Sequence, residues 1–290
     1  MKLLALPVAA VLLLAGCSSA PAEDDGIVQV VASTNVYGDI AATIGGDAVD
    51  VTSIIDDPSQ DPHSFEGSAR VQLALSKAEL VIENGGGYDD FVDTLLGAAG
   101  NPDATVLTAS DLSGLDVSSN EHVWYSFSAM DALAAAITDA LSQADPASAD
   151  LFTQNAAAFR GDLSILAQSV ATAATRVEGT GVAITEPVPG YLLDALGLVN
   201  VTPDEFSEAV EEGTDVSPLV LAETEELFAD GSAAILVYNE QTTGPETERV
   251  IAAATAAGAG VVPVTETLPA GEDYISWMTA NLDAIAAALR

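Results

Sequence analysis

Short runs of β-branched and aliphatic residues alternate along this chain with helical patterns, and this alternation restricts the fold more than any other feature. Eight runs have the length and composition of buried strands: IVQVVAS (27–33), VDVTSII (49–55), LVIENGG (80–86), ATVLTAS (104–110), GVAIT (181–185), GLVNVT (197–202), AAILVY (233–238) and GVVPV (260–264). Such alternation is typical of α/β proteins with parallel strands. We therefore predict an α/β fold built on mainly parallel sheets flanked by helices.

A second kind of pattern lies in the middle of the chain. From Ala147 to about Val177, helix-forming residues predominate, apolar positions recur every three or four residues, and there is one glycine and no proline. A helix of that length is about 45 Å long, more than an ordinary crossover needs. We predict that residues 147–178 form a rigid linking helix between an N-terminal lobe, residues 27–146, and a C-terminal lobe, residues 179–290.

The first 26 residues are predicted to direct and tether the protein. The apolar run from Leu3 to Leu14 is too short to span a bilayer, and it ends in Leu-Ala-Gly-Cys. Cys17 is the only cysteine, so an internal disulfide is excluded. This pattern resembles the lipobox of bacterial lipoproteins, which implies a cleaved signal peptide (residues 1–16), lipidation of Cys17 and a flexible tether (residues 17–26). The alternative is an ordinary signal peptide with an incidental cysteine.

The charge of the chain excludes one class of partner. With 44 acidic and 7 basic residues, the formal net charge is −37. Such a surface repels phosphate backbones, so no nucleic-acid binding is expected. The same charge attracts cations in general, but it confers no selectivity among them.

Common catalytic and nucleotide-binding motifs are missing. The sequence contains neither G-x-x-x-x-G-K-[ST] nor G-x-S-x-G. Gly85-Gly86-Gly87 follows a predicted strand but lacks dinucleotide-binding spacing, so we predict a tight turn there.

The two histidines of the chain lie at equivalent places in the predicted topology. His63, in DPHSFE, follows the second strand and precedes a helix expected to begin near Ser64, and His122, in NEHVWYS, follows the fourth strand. Open α/β sheets bind ligands at the carboxyl ends of their strands, where the two imidazoles could converge. Glu186 and Asp273 follow strands of the second half, although each taken alone is better explained as one solvated carboxylate among 44 acidic residues.

Four motifs in order carry a family resemblance: DPHSFE, NEHVWYS, ITEPVPGYLLDALGL and GEDYISWMTANLDAI. Together they resemble the metal-binding lipoproteins of bacterial ABC importers, the cluster A-I solute-binding proteins for manganese, zinc or iron, over essentially the whole mature chain. The resemblance implies two α/β lobes joined by one long helix, with a metal site in the cleft between them. It also implies four metal ligands, namely His63, His122, Glu186 and Asp273.

The chain departs from the family pattern in several places, including Tyr125-Ser126-Phe127 where Leu-Asp-Pro commonly follows the second motif. Glu121 stands where a proline commonly precedes the second ligand, Pro187 and Pro189 flank the third motif where an aromatic is more usual, and the histidine-rich loop of many zinc-binding members is absent. The identity of the ligands is unaffected, but their orientation is not settled by the motifs.

The implied ligand set limits the metal. Imidazole and carboxylate ligands without thiolate suit Mn²⁺ or Zn²⁺, with Fe²⁺ as a third candidate, and argue against Cu(I). Glutamate as third ligand favours Mn²⁺, whereas the Irving–Williams order gives Zn²⁺ at least equal affinity. Both histidines must be neutral to bind, so affinity is expected to fall as pH drops through about 6.5.

These inferences lead to one function and two alternatives. We expect a monomeric solute-binding protein, attached to the extracytoplasmic face of the membrane by its lipid alone, that hands the metal to an ABC permease driven by a separate ATPase subunit. The first alternative is a zinc-dependent hydrolase using the same ligands, with Glu66 as the nearby acid–base candidate. The second is a surface adhesion lipoprotein.

Overall fold

The structure, a computed structural model, describes residues 26–57, 60, 65 and 67–290. All eight predicted strands are present: β1 Val28–Thr34, β2 Val49–Ile55, β3 Leu80–Glu83, β4 Thr105–Thr108, β5 Gly181–Ile184, β6 Val199–Asn200, β7 Ile235–Asn239 and β8 Gly260–Val264. They form two four-stranded sheets in which every pairing is parallel. The predicted α/β fold, with two parallel sheets flanked by helices, is confirmed.

The two sheets share one topology. The strand orders are β2-β1-β3-β4 and β6-β5-β7-β8, so each half of the chain repeats the same arrangement. In both sheets, the first strand in sequence lies between the second and the third. The chain adds strands on one side of this first strand and then on the other, so the strand order reverses at β1 in one sheet and at β5 in the other. Ligands of open parallel sheets bind beyond the carboxyl ends of the strands at such points.

Eleven α-helices lie among the described residues: α1 Asn35–Gly45, α2 Ala69–Leu75, α3 Phe91–Ala99, α4 Ala109–Ser113, α5 Phe127–Ala144, α6 Ala149–Val177, α7 Gly190–Ala195, α8 Asp204–Glu211, α9 Pro218–Ala229, α10 Pro245–Ala257 and α11 Tyr274–Ala288. In that part of the chain, no helix has the length and apolar character needed to cross a membrane. The helix expected near Ser64 begins instead at Ala69. Ser68 has extended backbone, and its side chain accepts a hydrogen bond from the N–H of Val71 at 3.3 Å, which starts the helix there.

The longest helix, α6, packs along both halves of the molecule. Phe152, Phe159, Leu163, Leu166 and Val170 lie on one face and are buried, because their spacings of seven, four and three residues return to the same side of a helix. They belong to a continuous hydrophobic cluster that includes side chains of both sheets. Two smaller hydrophobic clusters lie on the opposite faces of the sheets, one on the N-terminal sheet and one on the C-terminal sheet.

Hydrogen bonds also join the segment after β8 to the N-terminal half. The hydroxyl of Tyr125 donates to the carbonyl of Thr265 at 2.8 Å, and the hydroxyl of Tyr274 donates to the carbonyl of Trp124 at 2.6 Å. The side chain of Asn35 pairs with the backbone of Leu268 through two bonds of 2.9 Å. These contacts bring the carboxyl-end loops of the two sheets together.

Candidate metal centre

His122 lies in the loop that follows α4, directly before a short 3₁₀ helix at Val123–Tyr125, and is 1% exposed. Two aromatic rings enclose it: the ring centroid of Trp124 is 5.1 Å from that of the imidazole, and the centroid of Tyr88 is 5.8 Å away. The imidazole therefore has a fixed, largely apolar surround.

The loop that carries His122 rests on the turn at the end of β3. Gly85, Gly86 and Gly87 all have positive φ angles, of 73°, 70° and 98°, a conformation that favours glycine, so the predicted tight turn is confirmed. The side chain of Asn84, just before this turn, donates a hydrogen bond of 2.9 Å to the carbonyl of Glu121. The triple-glycine turn thus serves to position the loop of His122.

Three metal-ligating groups meet at this loop. The ligand atoms of Glu121, His122 and Glu211 all lie within 4.8 Å of one another, and Nε2 of His122 is 3.6 Å from Oε1 of Glu211. Glu211 is the last residue of α8, so the cluster draws from both halves of the chain. Burial first, and then the nearby carboxylates of Glu121, Glu186 and Glu266, hold the pKa of Glu211 well above its ordinary value.

Two further carboxylates close the cluster from the second sheet. Glu186 comes two residues after the end of β5, Glu266 comes two residues after the end of β8, and they are 3% and 5% exposed. Since β5 and β8 both pair in parallel with β7, these two positions lie at the same edge of the sheet.

The carboxylate of Glu266 is oriented by donors from both halves of the molecule. Oε1 accepts from the side-chain amide of Asn239 at 2.7 Å, and Oε2 accepts from the hydroxyl of Tyr88 at 3.0 Å. Gln241 fixes the backbone by accepting from the N–H of Glu266 at 2.7 Å. Burial and the neighbouring carboxylate raise the pKa of Tyr88, which keeps its hydroxyl a neutral donor.

Of the ligands expected from the sequence, the structure brings His122 and Glu186 to this cluster. His63 lies outside the described residues, as do Cys17 and Glu66. Asp273 is found elsewhere. It is exposed, and its Oδ1 accepts from the N–H of Ser276 at 2.8 Å as the cap of α11. Together with Asp39 and Asp162 it lines a separate surface cavity of about 370 Å³.

Three members of the cluster were not expected from the sequence. Glu266 could have been found, because it occupies the same position relative to β8 that Glu186 occupies relative to β5. Glu121 stands where the family pattern commonly has a proline, so the pattern gives no reason to expect a ligand there. Glu211 lies at the end of a helix, and no local pattern connects it with the loop of His122.

The arrangement suits a divalent cation. One imidazole and four carboxylates lie close together, and like charges so placed repel strongly unless a proton or a metal ion lies between them. A cavity of about 350 Å³ adjoins the cluster and is lined by Ser118, Ser119, Glu121, Glu208, Glu211 and Glu212. Its acidic walls lead from solvent toward the buried donors.

Comparisons with known proteins identify the family and the fold. The family model described as "Zinc-uptake complex component A periplasmic" matches residues 30–288. The manganese-binding lipoprotein MntA of Halalkalibacterium halodurans is 26% identical over 215 residues, which cover 70% of this chain and 70% of that protein. A crystal structure of ZnuA covers 91% of this chain and 100% of its own, with a TM-score of 0.76 and 23% identity. A mutant structure of the laminin-binding adhesin Lmb of Streptococcus agalactiae also has a TM-score of 0.76, at 21% identity, with 91% of this chain and 100% of that chain covered.

Proposed function

Because the chain belongs to the family of periplasmic zinc-uptake component A proteins, we propose that it captures a divalent transition metal, Mn²⁺ or Zn²⁺, and delivers it to an ABC permease. Members of this family are solute-binding proteins and not enzymes, and they work with a permease and an ATPase. The proposal assigns the acidic cluster around His122 as the place where the metal is held.

One observation carries this proposal. Oε1 of Glu211 is buried, makes no hydrogen bond to any described residue, and lies 3.6 Å from Nε2 of His122. Both atoms are acceptors when the imidazole is neutral and the carboxylate is charged. A divalent cation between them would satisfy Oε1 of Glu211 and would offset the repulsion from Glu121, Glu186 and Glu266.

The proposed ligands are His63, His122 and Glu186, with one carboxylate from the segment after β8. Within that segment, the position of Glu266 supports it better than Asp273, because Glu266 is buried beside the cluster while Asp273 caps a helix at another cavity. Glu121 and Glu211 add further carboxylate oxygens where the cluster borders the cavity of about 350 Å³.

The donor chemistry bears on the choice of metal. The described donors are one nitrogen and several carboxylate oxygens. This set suits Mn²⁺, because carboxylate oxygens are hard ligands and can give the ion more than four contacts. Zn²⁺ prefers four ligands in tetrahedral geometry, yet the Irving–Williams order still gives it high affinity for such a site. We propose Mn²⁺ as the physiological cargo, with Zn²⁺ as the competitor.

The distribution of ligands provides a route for release. Glu121 and His122 belong to the N-terminal half, and Glu186, Glu211 and Glu266 belong to the C-terminal half. A small separation of the two carboxyl-end edges would divide the coordination sphere and weaken binding. Docking on a permease is the event that we propose to drive this separation.

The remaining parts of the proposal concern location. The leader and Cys17, together with relatives named as lipoproteins, support a lipid anchor on the extracytoplasmic face, with residues 17–26 as the tether. We also propose that the protein acts as a monomer. Of the alternatives, a zinc-dependent hydrolase conflicts with membership of a solute-binding family. The adhesin Lmb is similar to the chain at 21% identity, which supports a common fold only, so no adhesion function is proposed.

The test is a metal-binding measurement on the mature chain. Isothermal titration with Mn²⁺ and Zn²⁺ would be compared between wild type, His122→Ala and Glu186→Gln, with Glu223→Gln on the exposed side of α9 as the matched carboxylate control. We expect both site variants to lose more than the roughly 10- to 100-fold that removal of an outer partner causes. Wild-type affinity in both would contradict the proposal.

A further inference from the structure

Asn120, one residue away from the acidic cluster, contacts both halves of the metal site. We propose that it is a positioning residue that fixes the imidazole of His122 and aligns the loop of Glu186 with it. This inference rests on the proposed metal-binding function and extends it to a residue that contacts no metal itself.

The first contact sets the chemical state of the imidazole. Oδ1 of Asn120 lies 2.9 Å from Nδ1 of His122 and also accepts from the backbone N–H of His122 at 3.0 Å. An amide oxygen can only accept, so Nδ1 must carry the proton. Nε2 is then the metal-binding nitrogen of the neutral ring, and it is the atom that faces Glu211.

The second contact fixes the orientation of the amide itself. Nδ2 of Asn120 donates a hydrogen bond of 2.9 Å to the carbonyl of Pro187. A rotation of the amide by half a turn would place NH₂ against the N–H of His122 and oxygen against the carbonyl of Pro187. Two repulsive contacts would replace two hydrogen bonds, so the backbone on each side permits one orientation only.

The third set of contacts comes from the loop of the ligand Glu186. Pro187 is its immediate neighbour, and the hydroxyl of Tyr191 donates to the backbone carbonyl of Asn120 at 2.6 Å. At Gly190, a Cβ atom would come within 2.6 Å of Nδ2 of Asn120, so the absence of a side chain there permits the close approach. The segment from Glu186 to Tyr191 therefore packs directly onto Asn120.

These contacts give Asn120 a role that neither half could supply alone. The tether to His122 is local to the N-terminal half, whereas Pro187, Gly190 and Tyr191 belong to the C-terminal half. One short side chain thus couples the direction of the nitrogen ligand to the position of the carboxylate ligand. Outer partners of this kind orient metal-binding histidines and tune affinity.

The experiment compares the cobalt complexes of Asn120→Ala, Asn120→Asp and wild type. Co²⁺ serves as the probe because its visible absorption reports the geometry of its ligands. We expect Asn120→Ala to weaken binding of Co²⁺ and Mn²⁺ by about 10- to 100-fold and to alter the spectrum at saturating cobalt. Asn120→Asp keeps an acceptor for both N–H groups of His122 but places an oxygen against the carbonyl of Pro187, so it is expected to recover the wild-type spectrum only in part.

The control is Asn101→Ala, which removes another side-chain amide that bridges two carbonyls, those of Leu75 and Ala78, at 2.8 Å each. It is expected to lower stability but to leave affinity and spectrum unchanged. If Asn120→Ala has the wild-type affinity and spectrum, or if the spectrum of Asn120→Asp does not lie between those of Asn120→Ala and wild type, the positioning role is wrong. If His122→Ala also binds like wild type, the proposed metal site itself is wrong, which separates the two failures.

Discussion

Nε2 of His122 and Oε1 of Glu211 lie 3.6 Å apart across the junction of the two halves. The histidine follows the first sheet in the sequence, and the glutamate ends a helix of the second half. Each group is buried or nearly so, and three further glutamates surround the pair. Repulsion among these carboxylates therefore destabilises the metal-free protein, and a cation bound between the two groups would relieve it.

Replacement of Glu211 by glutamine is expected to stabilise the metal-free protein. Burial and neighbouring carboxylates raise the pKa of Glu211, which shows that its charged form is disfavoured in the fold. A neutral amide of the same shape removes that cost, so we expect a gain on the order of 1 kcal/mol, or about 2–4 °C in the unfolding midpoint. Thermal unfolding in EDTA measures it, and a lower midpoint than wild type would contradict it.

The same variant is expected to respond less to metal. Bound ligand stabilises the native state by about 2.7 kcal/mol at a concentration of 100 times the dissociation constant. Without the charge of Glu211, the dissociation constant rises, and the shift produced by a fixed concentration of Mn²⁺ becomes smaller. Glu223→Gln, changed in the same way on the surface, should keep the wild-type shift.

A comparison of Glu266→Gln with Asp273→Asn tests the fourth ligand. Glutamine at 266 removes a buried carboxylate beside the cluster and is expected to weaken Mn²⁺ binding by more than about 10- to 100-fold. Asparagine at 273 still caps α11, because its side-chain oxygen can accept from Ser276. Affinity should therefore stay at the wild-type value in Asp273→Asn, and the reverse pattern would return the fourth ligand to Asp273.

Glu83, which is not one of the proposed ligands, is expected to make the stability of the protein depend on pH. It ends β3, accepts a hydrogen bond from Thr108 at 2.8 Å, and has a pKa raised mainly by burial to about 7. The folded state thus holds this proton more tightly than the unfolded chain, whose glutamates titrate near 4.3. Its contribution to stability is full below about pH 4 and is lost as pH rises through about 7.

The variant Glu83→Gln isolates this contribution. Since glutamine keeps an acceptor for Thr108 and carries no charge, we expect it to be more stable than wild type at pH 8 by about 1 kcal/mol, less than the full linkage value because water partly screens the group. At pH 4 the two proteins should be equally stable. Urea unfolding at both pH values checks this, and a gain of the same size at pH 4 would contradict it.

Trp124 is expected to report metal binding by fluorescence. The chain has two tryptophans, Trp124 and Trp277. The ring of Trp124 lies 5.1 Å from that of His122, whereas Trp277 packs against Tyr125 and Tyr274. A cation held at His122 changes the field at the nearer indole, so Trp277→Phe should keep the fluorescence response to Mn²⁺. Loss of the response in Trp277→Phe would place the metal elsewhere.

The sequence predicted strands well because their patterns are local. The run GVVPV coincides with β8, and VDVTSII coincides with β2. Helix ends depend on capping geometry, and here the first turn of α2 begins only at Ala69, where Ser68 provides the cap. Asp61-Pro62 and Ser64 are also residue types that favour a helix start, so the sequence alone does not distinguish them from Ser68.

The site was predictable in part for a related reason. His122 lies after β4 of the first sheet and Glu186 after β5 of the second, and topology places each at the carboxyl-end edge of its own sheet. Glu211 reaches the cluster only through the packing of α8, which depends on long-range contacts that a sequence pattern does not encode. Asp273 lay in a motif with a helix-capping signature, and the cap is the role that its side chain has in the fold.

The buried cluster that runs through both sheets and α6 has a consequence for how the molecule can be divided. The halves repeat one topology, yet each covers apolar side chains of the other. Neither half is therefore a transferable module, since removal or exchange of one would expose the interior of its counterpart. The two halves repeat one architecture but share one hydrophobic core, so grafting a lobe from a relative would require redesign of the residues at which the halves meet.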